Sequence, residues 1–164
     1  FQREGAGSAR QLKNALEHRS PPALEVKNWR NVEGKGLSLE DMKGKVVVLD
    51  FWGTWCPPCR AAMPHLKELY HKHKDEGLMI IGVHSTRGGE KMDDFVKEQG
   101  IDWPVAVDVD GKTVKAFQVD SFPDYYLIDR QGMLRVADLV NGDLDRAVRL
   151  LLKEPAGIAA PERK

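Results

Sequence analysis

Seven residues, Val46 to Trp52, set the tightest limit on what this chain can become. The run VVVLDFW is β-branched or aromatic almost throughout, with a single charge, Asp50, inside it. A half-exposed strand alternates apolar and polar residues, so an unbroken run of this kind marks a strand buried on both faces of a mainly parallel sheet. Directly after it, Trp55, Cys56, Pro57, Pro58 and Cys59 lead into a helical pattern carrying Met63, Leu66, Leu69 and Tyr70. That helix is expected from about Pro57 to Asp75, kinked at Pro64 and stopped by Gly77.

The rest of the chain alternates in the same way. Leu78 to Val83 reads as a second buried strand, and Glu90 to Glu98 as a helix with Met92, Phe95 and Val96 on one face, ended by Gly100. Val105 to Val107 makes a short strand and Lys112 to Phe117 a short helix. Tyr125 to Ile128 and Leu134 to Val136 form a hairpin turned around Arg130, Gln131 and Gly132, and Leu144 to Leu152 is the last amphipathic helix. Upstream, Gly7 to Arg19 has only Ala9, Leu12, Ala15 and Leu16 as apolar positions, which suits a short surface helix. Ala23 to Trp29 alternates as a strand does, and the polar stretch with Gly34 and Gly36 leads to Leu37, Leu39 and Met42, a pattern read as a hairpin and a one-turn helix. The expected fold class is α/β, a central mixed β-sheet flanked by helices. Its organisation is a helical extension over 1–19, one domain over 20–153, and a flexible tail over 154–164, where Ala, Pro and Gly lack periodicity.

Composition excludes several function classes. Lys plus Arg and Asp plus Glu are equal at 25 each, so no global field draws in nucleic acid or an anionic membrane. No window approaches the stretch of about eighteen apolar residues that spans a bilayer. The chain opens on Phe1 and not on methionine, which leaves room for a cleaved leader ahead of it.

Cys56 and Cys59 are the only two cysteines, too few for a disulfide framework. Their place between a buried strand and a helix turns a bare C-x-x-C into a redox hypothesis. Cys56 falls at the helix N-terminus, where unpaired N–H groups and the helix dipole favour a thiolate, so it is the expected nucleophile. Cys59 lies one turn on and further from solvent, so it is the expected resolving thiol. Pro57 and Pro58 fit a first turn whose N–H groups have no helical partner. A zinc site would need two more ligands at recognisable spacing, and none follows this pair. No metal and no cofactor are therefore expected. His65, His71, His73 and His84 have no acidic ligand pattern and read as solvated surface.

The segment DFWGTWCPPCR at 50–60 resembles the active-site segment of the thioredoxin superfamily, and especially of the TlpA/ResA-like thiol-disulfide oxidoreductases. LSLEDMKGK at 37–45 is similar to the end of that family's N-terminal hairpin, and SFPDYYLIDRQG at 121–132 to its cis-proline strand and hairpin. The likeness covers about residues 20–153 and implies a thioredoxin-like fold with an N-terminal β-hairpin extension. It also implies that Cys56 attacks, that Cys59 resolves, and that Pro123 is a cis-proline facing them. Trp55 corresponds to the tryptophan bordering the nucleophile. Phe122 would offer its backbone to an extended target, with Trp52, Trp55, Phe122 and Pro123 forming an apolar rim.

Asp50 matches the buried acid of thioredoxins, whose carboxyl should titrate high through desolvation and exchange a proton with Cys59. Ala62 departs from the family's glutamate three residues after the second cysteine, so a cytochrome-maturation role relying on that acid is not implied. Asp124, after the proline, would supply local negative charge. The resemblance implies a protein disulfide oxidoreductase acting on protein disulfides or dithiols. It further implies a monomer that is periplasmic or membrane-tethered and draws on a membrane electron donor. The alternative is a peroxiredoxin-like thiol peroxidase, which shares the fold but normally uses a lone peroxidatic cysteine.

Overall fold

The computed structural model describes residues 1–156, and most of the expected tail over 154–164 lies outside them. Six strands form one mixed sheet: β1 Val26–Arg30, β2 Val46–Trp52, β3 Leu78–His84, β4 Val105–Asp108, β5 Asp124–Ile128 and β6 Leu134–Leu139, in the order β1-β4-β3-β2-β5-β6. β2 pairs in parallel with β3 and antiparallel with β5, and β3 pairs in parallel with β4. All seven residues of β2 are buried, as its run of apolar residues requires.

The helices are α1 Gly7–Asn14, α2 Pro57–His73, α3 Met92–Gln99, α4 Lys112–Ala116 and α5 Leu144–Leu152. Strand parity sorts β2 between two apolar layers. Val46, Val48 and Trp52 pack with Met63, Leu66 and Leu69 of α2 and with Ala147, Val148 and Leu151 of α5. Val47, Leu49 and Phe51 pack on the opposite face with Ile81, Val83, Phe117 and Tyr126. Asp50 shares the parity of Val48 and Trp52, so it points into the α2 layer.

One expectation fails. The N-terminal β-hairpin does not form: β1 stands alone in its region and adds antiparallel to the outer side of β4, Val26 opposite Asp108 and Lys27 opposite Val107. The polar segment after it carries only the one-turn helix Leu39–Met42, held by a reciprocal Ser38–Asp41 capping box. Its apolar contact is with the sheet, since Leu37, Leu39 and Met42 pack against the Phe117–Tyr126 layer.

α1 is the short surface helix expected, with Lys13 its one buried residue, but its flanks are tied to the sheet. Backbone bonds from Glu4 N–H to Asp138 O, Val140 N–H to Gln2 O and His18 N–H to Leu134 O lay its flanks along β6. The Glu17 carboxylate accepts from Ala137 N–H. The arm thus covers a sheet edge that would otherwise present unpaired backbone groups. Lys13, on the inner side of α1, is 1% exposed.

Candidate active site

β2 ends at Trp52, and the chain turns through Gly53 and Thr54 before α2 begins. Gly53 is required here because a Cβ would lie 2.6 Å from the Trp55 indole, which folds back over it. Cys56 is the N-cap of α2, with Pro57 and Pro58 in the first two helical positions and the Cys56 sulfur accepting from Cys59 N–H at 3.3 Å. Cys56 and Cys59 are joined by a disulfide with their Cα atoms 5.2 Å apart. Both sulfur-bearing residues are buried in this form, at 3% and 1% exposure, so the expected contrast in accessibility is small while the bond is closed.

The Phe122–Pro123 peptide is cis, and this segment faces the disulfide. The Phe122 carbonyl lies 3.6 Å from the Cys56 sulfur. Its ring meets Trp55 edge to face, with centroids 5.4 Å apart. Trp55 and Phe122 therefore meet beside Cys56, both half-buried, with Pro123 next in the chain and buried. Trp52 does not join this rim. It is 1% exposed and packs against His84 and Phe95, because strand parity turns it into the α2 layer. On the other side of Trp55, Arg87 stacks over the indole at 4.6 Å, and a groove of about 670 Å³ runs between Thr54 and α3.

Asp50 is fully buried, and neither carboxylate oxygen has a hydrogen-bond partner among the described residues. An ionised carboxylate without partners is costly in such a place, so burial, with the charge of Asp124 adding to it, pushes the Asp50 carboxyl up to about 7. Asp124 is also buried, and burial together with the Asp138 charge raises its carboxyl to about 7 against the pull of Ser121 and Lys13. It does not supply surface charge beside the cysteines.

Sequence reasoning missed His84. It extends β3 by one residue, is 0% exposed, and sits opposite Trp52 in the sheet register. Its Nδ1–H donates to the Ser85 carbonyl at 2.7 Å, and its Nε2 accepts from Thr54 N–H at 2.9 Å, which fixes one neutral tautomer. Burial lowers its pKa, in keeping with that role. Trp55 Nε1–H donates to Ser85 Oγ at 2.9 Å. The end of β3 thus holds the two residues that precede Cys56. His73 is also buried, beside Glu76, whereas His65 and His71 are exposed as expected.

A mixed sheet that carries a C-x-x-C disulfide at the N-terminus of the helix after its central strand, opposed by a cis-proline segment, defines a thioredoxin-like protein. The AhpC/TSA family profile matches residues 19–137. The chain belongs to the AhpC/TSA family, and within the thioredoxin superfamily it is of the TlpA/ResA-like type.

The thiol-disulfide oxidoreductase ResA of Bacillus thuringiensis subsp. konkukian is 42% identical over 102 residues, 62% of this chain and 59% of that protein. ResA of Bacillus subtilis is 33% identical over 118 residues, 72% of this chain and 65% of that protein. The chain thus spans about three fifths of the length of the curated relatives it matches. Among solved structures, a thiol-disulfide isomerase from Corynebacterium glutamicum superposes with a TM-score of 0.72 at 29% identity, covering 84% of this chain and 99% of that one.

Proposed function

We propose that this protein is a thiol-disulfide oxidoreductase that reduces or exchanges protein disulfides through Cys56 and Cys59. The observation that carries the reading is the Cys56–Cys59 disulfide at the N-terminus of α2, with the Phe122 carbonyl against the attacking sulfur. In the reduced protein, the Cys56 thiolate attacks one sulfur of a target disulfide, forming a mixed disulfide and releasing the other target sulfur as a thiolate. Cys59, deprotonated with Asp50 as proton acceptor, then attacks the Cys56 sulfur and expels the second target thiolate. The protein loses two electrons and the target gains two. Trp55, Phe122 and Pro123 receive the target, whose extended backbone pairs beside the Phe122 carbonyl.

By its likeness to the TlpA/ResA-like type, the protein works outside the cytoplasm, periplasmic or membrane-tethered, as a monomer re-reduced by a membrane electron donor. Among the described residues no helix is long and apolar enough to cross a membrane. A thiol peroxidase is the second reading, kept because the AhpC/TSA profile matches residues 19–137. Dithiothreitol-driven reduction of insulin separates the two. The protein accelerates insulin reduction well beyond dithiothreitol alone and consumes hydrogen peroxide no faster than free dithiol. The reverse pattern would transfer the assignment to the peroxidase.

The assignment of roles has its own readout. The helix N-terminus and the Cys59 N–H both favour negative charge on the Cys56 sulfur, while Cys59 lies inside the first turn of α2 and accepts no such bond among the described residues. Iodoacetamide is therefore expected to alkylate Cys56 of the reduced protein first, read by peptide mass. Faster alkylation of Cys59 would reverse the roles.

A further inference from the structure

A lysine buried to 1% exposure must be paired, since an unpaired buried ammonium is too costly to keep. Lys13 reaches inward from α1 into three carboxylates. Its Nζ lies 2.6 Å from Asp120 Oδ1, 2.6 Å from Asp138 Oδ2 and 3.9 Å from Asp124 Oδ2. Ligand oxygens of those three residues lie within 4.8 Å of one another, a spacing that would also suit a metal ion, but the lysine ammonium already supplies the cation. The backbone is arranged to build this cluster. β6 carries a bulge where Tyr125 and Leu127 of β5 face Leu139 and Val136, and Asp138 within it adopts a left-handed φ of 62°. A bulge re-aims a side chain, and aspartate tolerates this conformation better than most residues.

The carboxylates are not scattered. Asp120 and Asp124 bracket Ser121, Phe122 and Pro123, the segment that faces Cys56, and Ser121 Oγ–H donates to Asp124 Oδ1 at 2.9 Å. One ammonium therefore hydrogen-bonds Asp120 at the start of that segment and Asp138 on β6, with Asp124 at its other end 3.9 Å away, from a helix whose own flanks are bonded to the same strand.

We infer that Lys13 is a positioning residue for target binding: its ammonium clamps Asp120 to Asp138, beside the Asp124 carboxylate, and so fixes the Phe122 carbonyl beside Cys56. This rests on the proposed use of Phe122 as the target's backbone partner. The N-terminal arm is then part of the working site and not an accessory to the domain. Lys13 touches neither cysteine, so its removal should weaken target binding and leave Cys56 reactivity alone.

The test compares the wild type with K13M, which removes the charge and keeps the stem, and with D120N, which neutralises the exposed partner and spares the buried ones. Amide exchange of Ser121, Phe122 and Asp124 in the oxidised protein should rise about tenfold in K13M, the scale of losing one charge-assisted hydrogen bond, and about threefold in D120N. KM for insulin should rise in parallel, with iodoacetamide alkylation of Cys56 in the reduced protein changed by less than about twofold. A purely structural lysine would lower melting temperature without moving KM. Wild-type exchange at those amides in D120N and in any folded K13M overturns the clamp, as does faster exchange with an unchanged KM. A wild-type protein inactive on insulin overturns the proposed function instead, and the exchange comparison alone then decides the clamp.

Discussion

C59A is expected to stop the reaction at a covalent disulfide between Cys56 and its target, because exchange passes through that intermediate and only Cys59 can resolve it. Cys59 sits one turn along α2 with its Cα 5.2 Å from that of Cys56, so no other thiol in the chain can replace it. Turnover should fall by about 10³-fold or more, as when one member of a catalytic unit is lost. The adduct is read on a non-reducing gel and by mass. C56A, lacking the attacking sulfur, should form none. Equal capture by the two variants would mean that the roles assigned to the sulfurs are wrong.

D50N should give the second large effect, in both rate and stability. Asp50 is proposed to accept the proton of Cys59, so D50N slows resolution of the mixed disulfide by about 10² to 10⁴, the range of general-base contributions, and leaves its formation nearly unchanged. Rapid-quench separation of the two steps reads the difference.

The stability effect follows from the same burial. The Asp50 carboxyl titrates near 7 in the fold and near 3.8 when unfolded, so between those values the folded state holds the extra proton. Stability at this position is therefore full below about pH 3.8, declines as pH rises toward 7, and is lost above it. Three pH units correspond to about 4 kcal/mol. D50N, which cannot ionise, should thus gain on the wild type in urea melts at pH 8 relative to pH 4. A constant difference across that range would mean Asp50 stays ionised in the fold.

How much of this was legible in the sequence depends on how far apart the partners lie. β2, β3, β5 and α5 follow from their own residues, because a buried strand or an amphipathic helix writes its burial into a local pattern. The cysteine pair and Pro123 follow from short motifs that the fold brings together as expected. β1 does not, since its strand character is local but its partner β4 lies about 80 residues on, and nothing nearby says that it joins an edge instead of turning back.

Lys13 and His84 are invisible for the same reason. A lysine on a polar helix reads as solvated until Asp120 and Asp138, more than 100 residues away, are seen against it. His84 reads as surface because the apolar run of the strand ends at Val83. Carried one residue further, the β3 register would have set it beside Trp52 and within reach of the turn before Cys56.

The central claim, that Cys56 and Cys59 act together as a two-electron donor to a protein disulfide, is tested most directly by one turnover without added reductant. The fully reduced protein is mixed with an equimolar disulfide protein, quenched with acid, and the thiols of each partner are counted by mass after alkylation. The account predicts that the enzyme loses two thiols for every two the target gains, and that C56A transfers none. A target that gains no thiols, or gains as many from C56A as from the wild type, would contradict it.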